Sequence, residues 1–370
     1  MKKQRFNIIA AFLLVVVGAI ALVSYFNRNR DSDDNIAVVH AIVFQTGPQA
    51  NLGQEVTNAF ELFRSQLAAP KSLKLTVSDS KDTPAVAIDA LKSVRKDSAE
   101  ILICTGDVVS LTLGPLVDEL GIPCIATVAA GPGIVELHPW MFRVWSTAEG
   151  QAEYVALAAS KKFKSAAILT IDNEYGVSSS RKFEDIFSQN GGEIVGKETY
   201  GIVETNPRSQ VEKVLGKNPE CVFISGFGNG YPATIKIVRE SGFSGQIYCD
   251  NTISVPFFRA IVGDSVNGII FVGSEFDEFS LDEKASKFVA EYKAMFNTVP
   301  SFTAAYAYDS IKIAYEVARN SDFDHEGDRR ELIETTFDGL NGSYDFSEVG
   351  EAGERLVLKK FEAGKIIHLR

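Results

Sequence analysis

Along most of the chain, short runs of apolar residues alternate with longer segments whose apolar positions recur every three or four residues. The first run, 37–44, is almost continuously apolar, as in a strand buried on both faces of a sheet. The next segment, 55–67, places Val56, Ala59 and Phe63 at helical spacing. The order strand, helix, strand, helix predicts a parallel sheet with helices on both of its faces.

A second series of the same kind begins after residue 147, although the two halves share no detectable sequence repeat. We therefore expect an α/β fold of two lobes, with a ligand-binding crevice lined by the carboxyl ends of their strands. The pattern predicts strands at 37–44, 73–78, 100–104, 122–127, 166–171, 193–200, 221–225, 246–250 and 268–272, and helices at 55–67, 84–95, 113–120, 150–160, 179–189, 209–215, 233–241, 257–261, 282–296 and 306–320.

The first 30 residues are a targeting segment and stand outside the fold. Basic residues precede an uncharged run, 6–27, which is long enough to span a bilayer as a helix. The tripeptide Ala-Ile-Ala at 19–21 offers a cleavage site, so a removed signal peptide and an uncleaved anchor at 8–26 both remain open. The apolar run continues past the tripeptide, which favours the anchor. Either outcome exports the body of the protein, behind a solvated tether at 31–35.

Charge and composition narrow the classes of function. The 370 residues are 45% hydrophobic and 23% charged, which is typical of a globular chain of two domains. The net charge is −11, and an acidic body repels phosphate backbones, so we expect no nucleic-acid partner. We find no histidine or cysteine spacing for a metal and no nucleophile motif with its companions, so we expect no metal, no cofactor and no catalytic residues.

The four cysteines have two interpretations in an exported protein. Each lies in or beside a strand-like run, at Cys104, Cys124, Cys221 and Cys249. Their stagger between successive strands is poor for a disulfide, which favours four buried thiols over two bridges.

Glycine-containing polar loops follow two strands of the first half. The loop 46–53 is either a ligand-facing loop or an ordinary turn between a strand and a helix. The loop 105–110 ends in Ser110, which either holds a carboxylate or caps the next helix.

Two features of the second half concern the other wall of the crevice. The loop 226–231 resembles a dinucleotide loop, but Tyr231 stands where that pattern needs glycine. With Phe227, it better suits an apolar wall. Asp250 ends a strand and is either the partner of a ligand ammonium group or a solvated acid.

Eight segments in order along the exported part carry a family resemblance. The segments are TGPQANLG (46–53), DSKDTPAVAIDAL (79–91), TGDVVS (105–110), GIPCIATVAAGPGI (121–134), FRVWST (142–147), DNEYG (172–176), PSFTAAYAYDS (300–310) and GLNGSYDFSEVGE (339–351). Together they resemble type I periplasmic solute-binding proteins, in particular the leucine/isoleucine/valine-binding branch that serves ABC importers.

The resemblance implies an architecture and a function. It implies two Rossmann-like lobes joined by three crossings, with residues 36–145 plus 276–342 in the first lobe and 146–275 plus 343–370 in the second. The lobes would close on a small amino acid, branched-chain in the first place, or on a related solute, and deliver it to an ABC permease outside the cytoplasm. The alternative is a membrane-anchored receptor domain that senses a small organic acid or amide.

The resemblance also implies ligand-binding residues by position. Ser110 would hold the ligand carboxylate, and Asp250 would meet an α-ammonium group. Two departures bear on the ligand: Ala130 stands where the family often has threonine, and Leu52 stands where it often has an aromatic residue. The implied binding residues are Leu52, Ser110, Val128, Ala129, Ala130, Tyr175, Phe227, Tyr231 and Asp250.

Overall fold

The predicted targeting segment and tether lie outside the residues whose structure is described. Within the described residues, no helix is both long and apolar enough to cross a membrane. The structure is a computed structural model, and it describes residues 36–94, 98–279, 282–321, 323–353 and 356–369.

The strands follow the predicted alternation and are joined by several short ones that the pattern does not predict. In chain order they are β1 (Ala37–Val43), β2 (Leu73–Asp79), β3 (Ile101–Thr105), β4 (Cys124–Thr127), β5 (Met141–Arg143), β6 (Ser165–Ile171), β7 (Glu193–Tyr200), β8 (Cys221–Ser225), β9 (Gln246–Cys249), β10 (Ile270–Gly273), β11 (Thr336–Gly339), β12 (Gly342–Asp345), β13 (Val357–Glu362) and β14 (Lys365–His368).

The helices lie between the strands, with a group of three after β10. In chain order they are α1 (Ala50–Gln66), α2 (Pro84–Lys92), α3 (Asp107–Leu120), α4 (Ala148–Ser160), α5 (Glu174–Gln189), α6 (Arg208–Leu215), α7 (Gly230–Glu240), α8 (Pro256–Val262), α9 (Glu283–Phe296), α10 (Phe302–Ala318) and α11 (His325–Glu334). Short 3₁₀ turns lie at Pro70–Ser72, Asn251–Ser254 and Gly263–Val266.

Two large sheets organise the fold. The first is parallel throughout, in the order β2-β1-β3-β4-β5. The second has the order β14-β13-β10-β9-β8-β6-β7 and is parallel from β10 to β7, whereas β13 and β14 are antiparallel. The predicted α/β fold with parallel central sheets is confirmed.

Burial follows each strand's place in its sheet. The central strands β3 and β8 are buried along their whole length, as expected where helices cover both faces. The edge strand β7 instead alternates between exposed and partly buried positions, and it carries Glu193, Lys197 and Glu198. Charged side chains on an edge strand discourage pairing with another chain.

Several helices begin earlier than the apolar spacing predicts. α1 begins at Ala50 instead of residue 55, and α5 begins at Glu174 instead of residue 179. Their first turns are polar or glycine-containing, so apolar periodicity does not mark them. Gly53 and Gly176 lie in these turns, where an added Cβ would stand 2.0 Å from the carbonyl oxygen of Phe44 and 1.8 Å from that of Ile171. Glycine therefore lets each helix start directly against the strand before it.

The elements that the sequence pattern missed are short or polar. β5 has three residues, α11 is charged, and β11–β12 and β13–β14 are hairpins of four to six residues per strand. The β11–β12 hairpin spans the predicted lobe boundary at residue 342. Beyond it, Arg143 forms a β-bridge with Glu351, so the chain stays beside the first sheet before it enters β13.

A buried carboxyl group joins α1 to the start of α10. Ser301 caps α10 by accepting a hydrogen bond from the Thr303 N–H at 3.0 Å. Its own N–H, at 3.2 Å, and its hydroxyl both donate to the carboxyl group of Glu55. Burial raises the pKa of Glu55 to about 7, although the Ser301 hydrogen bonds oppose that rise.

This pKa predicts a pH dependence of stability. The unfolded carboxyl group titrates near 4.5, so the folded protein binds the proton more tightly, and the free energy of unfolding should fall as pH rises from 4.5 to about 7. Glu55→Gln should remove this slope and stabilise the protein at pH 8 by about 1–3 kcal/mol, as measured by urea unfolding. Glu61→Gln, on the exposed side of α1, is the matched control and should keep the wild-type slope. A wild-type slope in Glu55→Gln would contradict the assignment.

Candidate functional site

A cavity lies between the two large sheets. Its walls are the segments that follow the carboxyl ends of strands in both sheets, where ligands bind in folds of this kind. From the first sheet's side it is lined by Gln49, Leu52, Gly106, Asp107, Val128, Ala130, Trp145, Phe302 and Thr303, and from the second sheet's side by Tyr175, Phe227, Asn251, Thr252 and Val255.

Aromatic side chains form much of both walls. On the first side Trp145 packs on Phe302, with ring centroids 5.1 Å apart. On the second side Tyr175 meets Phe227 edge to face at 5.6 Å. Such pairs hold one another in fixed orientations, so the cavity presents stable apolar surfaces to a small solute.

Asp107 brings a carboxyl group to the first wall. It is the first residue of α3, and its Oδ1 accepts hydrogen bonds from the N–H groups of Ala130 at 2.6 Å and Gly131 at 2.9 Å. This contact ties the start of α3 to the loop after β4. Burial raises the pKa of Asp107, whereas the two N–H bonds and the attraction of Arg143 lower it.

Arg143 supports the same loop from behind. Its side chain is fully buried, donates to the Gly131 carbonyl at 2.7 Å, and pairs with the carboxylates of Glu351 and Glu136. The guanidinium group is thus committed to these partners instead of facing the cavity.

The loop after β4 also contains a strained residue. Val128 lines the cavity with φ of +52°, in the left-handed region that β-branched residues avoid. Such a conformation costs about 1–3 kcal/mol and persists only where the surroundings impose it. The contacts of Asp107 and Arg143 to the neighbouring residues supply that restraint.

Asp250 is the centre of a buried network in the second wall. Its Oδ2 accepts from the Tyr175 hydroxyl at 2.9 Å, the Ser225 hydroxyl at 2.8 Å and the Gly226 N–H at 2.6 Å. Its Oδ1 accepts from the Tyr231 hydroxyl at 2.9 Å and the Thr252 N–H at 3.1 Å. Burial raises the pKa of Asp250, and these bonds oppose the rise. The carboxylate therefore joins the loops that follow β6, β8 and β9.

Two buried polar atoms on the cavity wall have no hydrogen-bond partner in the described part of the chain. They are Nδ2 of Asn251, on the second side, and Oγ1 of Thr303, on the first. Both residues are almost wholly buried, at 2% and 1% exposure. A buried polar group without a partner is costly, so these atoms mark where a bound molecule would supply hydrogen bonds.

The structure brings five of the nine predicted site residues to the cavity. Leu52, Val128, Ala130, Tyr175 and Phe227 line it. Ser110, Ala129, Tyr231 and Asp250 are buried outside its lining.

The structure excludes one of the two interpretations that the sequence left open for Ser110 and for Asp250, namely the helix cap and the solvated acid. Ser110 lies inside the first turn of α3 instead of capping it, and its hydroxyl is 3.3 Å from the Cys104 sulfur. Asp250 is neither solvated nor open to a ligand, because hydroxyl and N–H donors surround it. Cys104, like the other three cysteines, is a buried free thiol.

Sequence analysis missed several residues of the cavity wall. Asp107 lies within the segment TGDVVS, three residues before the predicted carboxylate ligand Ser110. Asn251 adjoins Asp250, and Trp145, Phe302 and Thr303 lie in segments that the resemblance quotes without a role. The signal was present in each case, but only the fold shows which of these side chains meet.

A larger groove, of about 450 Å³, lies at the other end of α1, between α9, α10 and the β11–β12 hairpin. Its polar side chains bond to one another: Lys284 meets Asp338 at 2.5 Å, and the Tyr308 hydroxyl donates to Gln66 at 2.5 Å. It lies away from the strand ends, so we take the smaller cavity as the candidate site. The described residues hold no cluster of side chains suited to a metal ion.

Comparison with known proteins places the chain in a family. Residues 39–362 match the periplasmic binding protein family, and the chain therefore belongs to it. The family comprises solute-binding proteins of the ABC-transporter type, which bind small molecules outside the cytoplasm, and not enzymes.

Solved structures share the fold at low sequence identity. A leucine-binding protein, LivK, from Thermotoga maritima is 21% identical, with a TM-score of 0.82 over 90% of this chain and 98% of its own. LivJ from Streptococcus pneumoniae, solved in complex with isoleucine, is 19% identical, with a TM-score of 0.82 over 90% and 98%. A solute-binding protein from Rhodopseudomonas palustris, solved with 3,4-dihydroxybenzoic acid, is 20% identical, with a TM-score of 0.83 over 90% and 96%.

The Asp250 network predicts a large effect on stability. Asp250→Ala removes the acceptor of buried hydroxyl and N–H donors, and it should lower the free energy of unfolding by about 3–5 kcal/mol in urea titration. Asp185→Ala, an exposed acid on α5, is the control and should change it by less than about 0.5 kcal/mol. Wild-type stability of Asp250→Ala would show that the carboxylate does not hold the loops together.

Proposed function

We propose that this protein captures a small amino acid, of the branched-chain type in the first place, or a closely related solute, and delivers it to an ABC permease. The observation that carries the proposal is the cavity between the sheets. Its two walls follow strands of different sheets, and each contributes aromatic surface and a buried polar atom that lacks a partner in the described residues. A molecule that satisfies both walls would hold the lobes together.

The lining of the cavity suits a small, partly apolar solute. Leu52, Val128 and Val255 add aliphatic surface to the aromatic walls, which fits a branched side chain. Relatives of the same fold include proteins solved with isoleucine and with an aromatic acid, so the trial set includes both classes.

We further propose that binding closes the lobes about the crossings between them. Gln151 of α4 links the predicted first crossing, at 142–147, to the cavity: its Nε2 donates to the Ser146 hydroxyl at 3.0 Å, and its Oε1 accepts from the Asn251 N–H at 3.1 Å. If a ligand displaces Asn251, Gln151 would therefore transmit that movement to the crossing. Closure would present the permease with a surface that the open form lacks. Anchoring by residues 8–26 remains a prediction about the undescribed N-terminal segment.

A thermal-shift screen of the full-length protein tests capture. Valine, leucine and isoleucine should raise the melting temperature, since a ligand that binds only the folded state stabilises it by mass action. The panel also contains isovalerate, isocaproate, benzoate and valinamide. A positive result is followed by calorimetry for Kd and by X-ray scattering, where closure should reduce the radius of gyration. No shift with any member of the panel would contradict the proposal.

Phe227→Ala tests whether the cavity is the binding site. Loss of part of an aromatic wall should weaken binding by about 1–2 kcal/mol, or roughly tenfold in Kd. Phe243→Ala is the matched control, because Phe243 is also partly buried but lies before β9, at the opposite end of that strand from the cavity. Equal affinities of the two variants would place the ligand elsewhere.

A further inference from the structure

The first wall of the cavity already holds a carboxylate of its own. The N–H groups of Ala130 and Gly131 face Asp107, and both donate to its Oδ1. They are therefore not free to receive an anionic group from a ligand. A ligand carboxylate placed at this wall would also meet the negative charge of Asp107 at short range.

The charges around this wall give it a negative character. The side chains that line the cavity include no lysine, arginine or histidine. The nearest cation in the network, Arg143, lies behind Gly131 and is paired with Glu351 and Glu136. Asp82, which lies outside the lining, adds a second acid close to Gly106. In the described part of the chain, this wall therefore has no positively charged side chain of its own to balance these acids.

Asp107 also has capacity for a further hydrogen bond. An ionised carboxylate has two oxygens, and in the described residues only its Oδ1 has hydrogen-bond partners. Oδ2 therefore remains for a donor from a bound molecule. A charge-assisted bond from an ammonium group would be among the strongest contacts that the cavity offers.

The second wall does not offer an alternative partner for an ammonium group. The oxygens of Asp250 already accept five hydrogen bonds, and the residue is 1% exposed. What this wall presents instead is a donor, Nδ2 of Asn251, without a partner in the described residues. Thr303 adds a hydroxyl from the first side. An oxygen acceptor on the ligand would satisfy these atoms.

We propose that Asp107, and not Asp250, binds a protonated amine of the ligand, while Asn251 and Thr303 donate hydrogen bonds to a neighbouring oxygen of the ligand. The ligand class is a small aliphatic solute with an ammonium group beside a carboxylate or amide oxygen, and an acid without the amine is rejected. This assignment rests on the proposed capture of a small solute in this cavity.

Matched ligands test the assignment on the full-length wild-type protein by calorimetry. Valine and isovalerate differ only in the amino group, as do leucine and isocaproate. At least one amino acid of the two pairs should bind, and the corresponding acid should bind at least tenfold more weakly. Binding of an acid as tightly as its amino acid overturns the assignment but leaves solute capture intact. If none of the four compounds binds, the assignment is overturned. The proposed capture of a solute is contradicted only if no member of the thermal-shift panel raises the melting temperature either.

Asp107→Asn tests the residue. Asparagine keeps an oxygen to accept from Ala130 and Gly131 but removes the charge, so the fold should persist, as checked by circular dichroism. Affinity for the amino acid should fall by about 10- to 100-fold, the range for loss of a charged hydrogen bond, with no loss for the matching acid. Asp185→Asn is the exposed control and should bind as wild type. An equal loss for amino acid and acid overturns the proposal, and if the variant does not fold, the wild-type comparison decides.

Discussion

The structure around the cavity depends on buried carboxylates that are held by N–H and O–H donors instead of by basic side chains. Asp107 fastens the start of α3 to the loop after β4, and Asp250 fastens the loops after β6, β8 and β9. Asp309 of α10 does the same for the turn of the β11–β12 hairpin, where it accepts from Leu340, Asn341 and Tyr344. A buried charge without donors is too costly to keep, so each carboxylate forces several chain segments to converge on it. Loops that have few backbone contacts of their own thereby acquire fixed positions.

The α/β fold could be predicted from the sequence because its central strands are continuous apolar runs and its helices are amphipathic. The runs at β3 and β8 leave little choice of structure, since both faces of such strands must be covered. The helix starts could not be placed as well, because the first turns of α1 and α5 are set by Gly53 and Gly176 packing on strand carbonyls. The hairpin β13–β14 was missed because its residues are partly charged and its burial comes from the neighbouring β10.

The sequence predicts where the candidate site lies, but it does not predict which contacts form it. Loops at the carboxyl ends of strands identify the region, and Leu52, Tyr175 and Phe227 follow from it. A shift of one or a few positions along a helix or loop decides which polar side chain faces the cavity. Ser110 stands a single turn along α3 from Asp107, yet it points to Cys104 while Asp107 reaches the cavity. Asn251 and Asp250 are adjacent, but one lines the cavity and the other lies behind it.

The position of late chain segments beside both large sheets has a consequence for how the protein reaches its native state. α10, from residues 302–318, packs on β1 and β3 of the first sheet, and β13, from residues 357–362, pairs with β10 of the second. Neither sheet can therefore complete its packing from the residues that leave the ribosome first. The chain must close long loops before its sheets gain their full cover, which slows folding. Each large sheet therefore keeps part of its apolar surface or one of its strand edges uncovered until residues 302–362 of the chain have been added.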